Sequence, residues 1–253
     1  MPKLEKRTPE VATHSLWVRL LHWLLAGSFL VLAVTGYVIL MSHPRLYWGN
    51  AGNDLTSALI ELPISRNYKH GGWDDKFTFS GTTVSSASRT FEIFNKNGWG
   101  RSLHFLSAWL ISFGLFAYAV LGLAGGHVRR NLWPRSGELT LTSFLTDFRN
   151  HLRLKVRQAS GGPDYGLLQK LTYVGIMFLA LPLMLVTGLA MSPAVAAAIP
   201  GLASLFGGHQ SSRTLHFVGF ALLLVFLGIH VTMVFLSGLV RQLRGMTIGS
   251  RDV

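Results

Sequence analysis

The chain contains no cysteine. Disulfides, a covalently attached c-type haem and a thiolate-held iron–sulfur cluster are therefore all excluded. If iron–sulfur clusters pass electrons to this protein, another subunit carries them. Charge is scarce as well: Asp, Glu, Lys and Arg make up 13% of 253 residues, against 49% hydrophobic residues. The chain has 11 acidic residues, and no acidic pair lies within a long apolar run. There is no phosphate-cradling glycine loop. Hydrolytic and nucleotide chemistry have no support here. What remains is a chain of positive mean hydropathy, the profile of a membrane protein. The net charge of +12 does not point to nucleic acid, because the basic residues cluster beside apolar runs rather than on one polar face.

Four apolar runs are long enough to cross a bilayer: Leu20–Met41, His104–Leu123, Leu167–Met191 and Leu215–Leu236. They predict an all-α membrane protein, one integral-membrane domain over residues 1–253 folded as a four-transmembrane-helix bundle. The first run lacks a small-residue cleavage pattern and carries His22, so it reads as a retained span rather than a signal peptide. The segment to Arg19, the 124–170 connection and the tail after Leu236 hold 15 of the 23 basic residues. The other two connections hold 8 over a longer total length. By the positive-inside rule both termini face inward, N-in and C-in. The long 42–100 connection then faces outward as a docking surface rich in Gly, Ser, Asn and Trp. In the cytoplasmic 124–170 connection, Leu141, Phe144, Leu145, Phe148 and Leu152 recur at helical spacing, with Arg149, Arg153 and Arg157 between them. That pattern predicts a short amphipathic helix, either lying on the inner leaflet or packed on the end of the bundle.

The sequence repeats itself. Thr35-Gly36 followed by Met41-Ser42-His43-Pro44 resembles Thr187-Gly188 followed by Met191-Ser192-Pro193. Arg101-Ser102-Leu103-His104-Phe105 resembles Arg213-Thr214-Leu215-His216-Phe217. Spans one and three share one pattern and spans two and four the other, as two related helical hairpins would.

His216 and His230 stand fourteen residues apart in the fourth span. At about 100° per residue both leave one helix face, roughly 21 Å apart along the axis. That places one near each surface of a hydrocarbon core about 30 Å thick. His22 begins span one on the inner side and His104 begins span two on the outer side. Two depth-matched pairs result: His104 with His216 outside, and His22 with His230 inside. Ionisable residues inside spans are functional candidates. A lone intramembrane histidine is often only a hydrogen-bonding residue, but four that sort into pairs point to haem iron held by two axial imidazoles. Arg19–His22, Arg101–His104 and Arg213–His216 all share R-x-x-H spacing. Each arginine lies one turn nearer water on the face of its histidine, where it would neutralise a haem propionate. Interfacial anchoring accounts for Arg19 equally well.

The other histidines (His14, His43, His70, His127, His151 and His209) fall in loops or tails as surface residues, with His14 and His209 near enough to the two sites to carry protons. Gly27 and Gly219 follow His22 and His216 closely and offer clearance for a macrocycle; Gly36, Gly114, Gly122 and Gly228 read as packing positions. Pro182 predicts a kink in span three, which has no histidine and presents Gln169 and Tyr173 at its inner end, either as anchors or as one wall of a quinone pocket.

At these residues the chain resembles a known family: the four-helix dihaem cytochrome b subunits that accompany nickel–iron hydrogenases, formate dehydrogenases and thiosulfate-reductase-type molybdoenzymes. The motifs that carry the resemblance are W-V-R-L-L-H-W (Trp17–Trp23) with Thr35-Gly36, R-S-L-H-F, the run from Tyr165 to Tyr173 with T-G-L-A-M-S-P, and R-T-L-H-F with H-V-T-M-V-F (His230–Phe235). It covers nearly all of the chain except the 42–100 connection. The resemblance implies two non-covalent bis-histidine haems b, ligated by His22, His104, His216 and His230, in a bacterial cytoplasmic membrane. It also implies a quinone site near one haem and a catalytic partner, periplasmic and of molybdopterin or hydrogenase type, exchanging electrons with the other. Span three looks closest to members paired with molybdopterin proteins. The leading expectation is thus an electron conduit between that partner and the quinone pool. Two alternatives stand beside it. A stand-alone superoxide:quinone oxidoreductase would show activity as a single chain, and a non-redox membrane protein would bind no haem.

Overall fold

The computed structural model describes residues 15–52, 56–64, 98–152 and 166–248. In chain order its elements are α1 (Leu16–Ser42), the two-residue strands β1 (Arg45–Leu46) and β2 (Ile60–Glu61), and α2 (Gly98–Ala124). A π-helical turn (Val128–Leu132), a 3-10 turn (Ser136–Glu138) and α3 (Leu141–Leu152) follow. Next come α4 (Leu167–Gly175), a second π-helical turn (Ile176–Ala180) and α5 (Leu181–Ala190). The chain continues through the short α6 (Pro193–Ala198) and α7 (Gly201–Ser204) to α8 (His209–Leu236) and α9 (Leu239–Thr247).

The all-α class and the four spans hold. Leu16–Ser42, Gly98–Ala124, Leu167–Ala190 and His209–Leu236 have 27, 27, 24 and 28 residues. At 1.5 Å per residue each measures roughly 36–42 Å, more than the hydrocarbon core it must cross. Three of them begin several residues before the apolar runs do, because helix persists into the headgroup region where hydropathy no longer reports it. Large apolar side chains on these helices face outward: Phe116 is 70% exposed and Val225 61%. The polar residues Ser28, Thr35, Ser107 and Thr187 are buried. Such an inside-out arrangement suits lipid rather than water. In span three the expected disturbance before Pro182 is the second π turn, where the Leu181 N–H donates to Ile176 O. A proline cannot donate to the carbonyl four residues back and crowds it, and one wider turn relieves the conflict.

The chain forms two compact units whose boundaries fall inside the long helices. The first unit comprises Met1–Leu24, Gly114–Leu181 and Leu223–Val253. Here Trp17, Tyr118 and His127 form a ring cluster, with Trp17 lying 5.8 Å from Tyr118 and 5.5 Å from His127. Burial, reinforced by the nearby Arg130 charge, holds the His127 imidazole below its usual pKa, so it sits neutral among these rings. The carboxylate of Glu138 accepts two hydrogen bonds from Lys170 Nζ, at 2.8 and 2.9 Å, and one from the Arg135 backbone N–H. These partners, Lys170 first, lower the Glu138 pKa. Helix α3 carries Leu141, Phe144, Leu145 and Phe148 on its exposed side. Its Asp147 accepts the Leu168 N–H in the first turn of α4. That contact fixes α3 by its polar side and leaves the apolar side exposed. Arg153 and Arg157 lie outside the described residues. Gly238, at φ +100°, ends α8 in the left-handed conformation that glycine adopts without penalty, and α9 starts at once. Helix α9 returns to α1: Trp23 Nε1 donates to Met246 O and Arg19 to Thr247 O, both at 2.9 Å. The last carbonyls of α9 thereby gain partners that they lack within the helix.

The second unit comprises Leu25–Phe113 and Pro182–Leu222. After α1, β1 and β2 pair antiparallel with Arg45 opposite Glu61 and Leu46 opposite Ile60. This segment covers the start of α8. Gln210 N and Ser211 N donate to Gly49 O, Ser211 Oγ accepts from Gly49 N, and Thr214 Oγ1 donates to Tyr47 O. The first N–H groups of a helix have no partners of their own; here another stretch of chain supplies them. Gly208 has φ +120° and backs onto the Gly49 carbonyl and Asn50 Oδ1, so no side chain fits there. Much of the 42–100 connection lies outside the described residues.

Candidate functional site

The four histidines singled out by the sequence come together in the two expected pairs. His104 of α2 faces His216 of α8, with ring centroids 6.4 Å apart and planes at 58°. His22 of α1 faces His230 of α8, also with centroids 6.4 Å apart and planes at 50°. With a metal–nitrogen bond of about 2.0 Å and a ring centre about 1.1 Å beyond the nitrogen, two imidazoles on opposite sides of one metal have centroids roughly 6.3 Å apart. Both pairs match that spacing. Among the described residues no three His, Asp or Glu side chains cluster as a closed metal site would require. Two facing imidazoles suit a metal whose other four positions are already filled, as in haem.

Each pair has its own neighbours. His104 Nδ1 lies 3.0 Å from Thr35 Oγ1 and His216 Nδ1 lies 3.0 Å from Thr187 Oγ1. Gly36 and Gly188 follow these threonines. A Cβ on either would come within 3.4 Å of the Cε1 atom of the facing imidazole. The duplicated Thr-Gly motif therefore makes the same contacts twice, once per hairpin. Around the other pair, Trp23 meets His22 edge to face at 5.2 Å, and Phe226 stacks on His230 at 5.8 Å.

The three arginines differ in their partners. Arg101 is exposed in the first turn of α2. Arg213 is half-buried and donates to the His43 carbonyl. Arg19 donates to Thr247 O. A guanidinium has five N–H donors, so neither contact exhausts its side chain. Gly27 is open, with nothing within 4 Å of where a Cβ would stand. At Gly219 a Cβ would meet Met184 Sδ, near the end of a flexible side chain. Gln169 Nε2 donates to Tyr173 Oη at 2.9 Å, joining the two polar residues of span three. His209 is exposed at the start of α8, and His14 lies outside the described residues. The sequence reading missed Thr35 and Thr187 as histidine partners, although their repetition was the signal. It also missed α9 and the Glu138–Lys170 pair, which join residues far apart in sequence.

Comparison with known proteins identifies the family. The profile of the family described as prokaryotic cytochrome b561 matches residues 13–249. A protein of Azospira oryzae with the provisional name protein-methionine-sulfoxide reductase subunit YedZ1 is 24% identical over 236 residues, covering 92% of this chain and 96% of its own. No solved structure gives a significant match. With four spans and paired intramembrane histidines, this chain belongs to the prokaryotic cytochrome b561 family, a multi-pass membrane cytochrome that binds b-type haem and transfers electrons.

Proposed function

We propose that the protein is a dihaem cytochrome b of the bacterial cytoplasmic membrane, passing electrons between the quinone pool and an oxidoreductase partner on the outer face. His104 and His216 would hold one haem, and His22 and His230 the other. The observation that carries this reading is the equal 6.4 Å centroid spacing of the two pairs. Bound there, each haem supplies a one-electron couple with no coordination position open to substrate. The chain's own residues hold the imidazoles in place, exclude water with apolar helix faces, and set charge at the rim. Arg101, Arg213 and Arg19 supply that charge, using the donors left after their backbone contacts.

The name of the Azospira relative, a subunit of a sulfoxide reductase, supports a reductase partner. The resemblance of span three to members paired with molybdopterin enzymes agrees with it. A sulfoxide reductase consumes two electrons and two protons per oxygen removed, so electrons would run from quinol to the partner. Gln169 and Tyr173 belong to the same unit as His22 and His230, and they are the residues proposed to meet the quinone.

The test is a pyridine haemochromogen assay of the purified chain with reduced-minus-oxidised spectra. Two haems b per chain are expected, falling to one in His104→Ala and to one in His22→Ala. A chain without haem, from haem-replete cells, would overturn the reading. Superoxide-driven quinone reduction by the chain alone would overturn the partner-dependent part.

A further inference from the structure

We propose that Thr35 and Thr187 are positioning residues that fix the tautomer and ring orientation of both axial ligands of one haem, His104 and His216. The proposal rests on the bis-histidine reading above and extends it to residues outside the ligand set.

A threonine hydroxyl has one hydrogen to donate and two lone pairs to accept with. Thr35 Oγ1 lies 2.7 Å from Val31 O and 3.3 Å from Leu32 O, and Thr187 Oγ1 lies 2.7 Å from Leu183 O and 3.2 Å from Met184 O. Carbonyls only accept, so the hydroxyl hydrogen is committed to its own helix. The oxygen then meets the imidazole, 3.0 Å away, as an acceptor, and the ring must bring an N–H at Nδ1. With Nδ1 protonated, the neutral imidazole keeps its lone pair at Nε2, the atom free to bind iron. Both hydroxyls are buried, Thr35 being 1% exposed and Thr187 fully enclosed, so water does not compete for these contacts.

Three observations separate this from ordinary back-bonding by threonine in membrane helices. The geometry occurs twice with the same distances. Each time a glycine follows, clearing space at the ring edge. The chain's only two Thr-Gly dipeptides are both used this way, on the two ligands of one site. A ligand that donates from Nδ1 is a stronger base toward its metal and favours the ferric state. Removing the acceptor therefore raises the midpoint potential of that haem alone.

The experiment uses the purified full chain and Thr35→Val, Thr187→Val, Thr35→Ser and Thr187→Ser. Valine keeps the shape and removes the hydroxyl; serine restores it. Redox titration followed optically and low-temperature EPR are read beside haem content. In each valine variant one of the two midpoint potentials should rise and one low-spin EPR signal should move, while the other haem keeps both values. The serine variants should return to wild type. Where a valine variant loses one haem, retention of that haem by the serine variant supports the role, and loss in both overturns it. Valine variants that hold two haems at unchanged potentials and signals overturn it as well, as do serine variants that shift as far as valine. A wild-type chain without two haems, or His104→Ala retaining both, overturns the bis-histidine reading itself and this role with it.

Discussion

Lys170 shows how one residue's surroundings decide what a substitution does. Its side chain is 10% exposed and its ammonium is held by Glu138, whose own side chain is 34% exposed. Glu138→Gln strands a nearly buried cation, whereas Lys170→Met leaves a carboxylate that water still reaches. The first is therefore expected to destabilise by about 1–3 kcal/mol and the second by less, seen as unequal losses of Tm in detergent. Acid should act in two steps. His127 has a depressed folded pKa, so the unfolded chain binds its proton more readily. The stability it contributes is complete above pH 6.5 and is lost as pH falls through the lowered folded value. Glu138 is depressed as well, and its contribution is complete above pH 4.5 and lost below that. His127→Phe keeps a ring against Trp17 and Tyr118 and should remove the upper step from a Tm–pH curve; Glu138→Gln should remove the lower one.

At the scale of elements, α3 and α9 are short amphipathic helices beside the spans, α3 tied down by its Asp147 and α9 by its last carbonyls. Leu145 of α3 is 52% exposed among other exposed apolar residues, while Asp147 holds the first turn of α4. Because the chain has no native cysteine, single-cysteine variants report one position each. In proteoliposomes Leu145→Cys should resist a water-soluble maleimide and Thr146→Cys should react. Equal reaction would place α3 in water. Helix α9 receives Arg19 and Trp23 at its last carbonyls, and Trp23 also meets the His22 ring. Ending the chain after Gly238 should therefore alter the spectrum and potential of the haem proposed at His22 and His230. The haem proposed at His104 and His216 should be unchanged, since the Thr35 and Thr187 contacts to its histidines lie in the second unit.

For the whole molecule, the uneven distribution of basic residues predicts that both termini face the cytoplasm. A C-terminal green fluorescent protein fusion should fluoresce and an alkaline phosphatase fusion should be inactive; the reverse result would invert the topology and exchange the faces assigned to the two pairs. The sequence by itself determined the spans and named the four histidines. Long apolar runs and helical spacing are local, one-dimensional signals, and a bilayer leaves the backbone little choice but helix. It also displayed the duplication, which correctly flagged Thr35 and Thr187 without saying why they recur. The structure decided what each residue touches. Gly219 lies against Met184, Arg213 reaches the His43 carbonyl, and α9 folds back to Arg19 across 228 residues of sequence. Such contacts depend on helix register and on the direction of each side chain. Those are fixed only when the helices pack, because a hydrogen bond between helices leaves no periodic trace in either one.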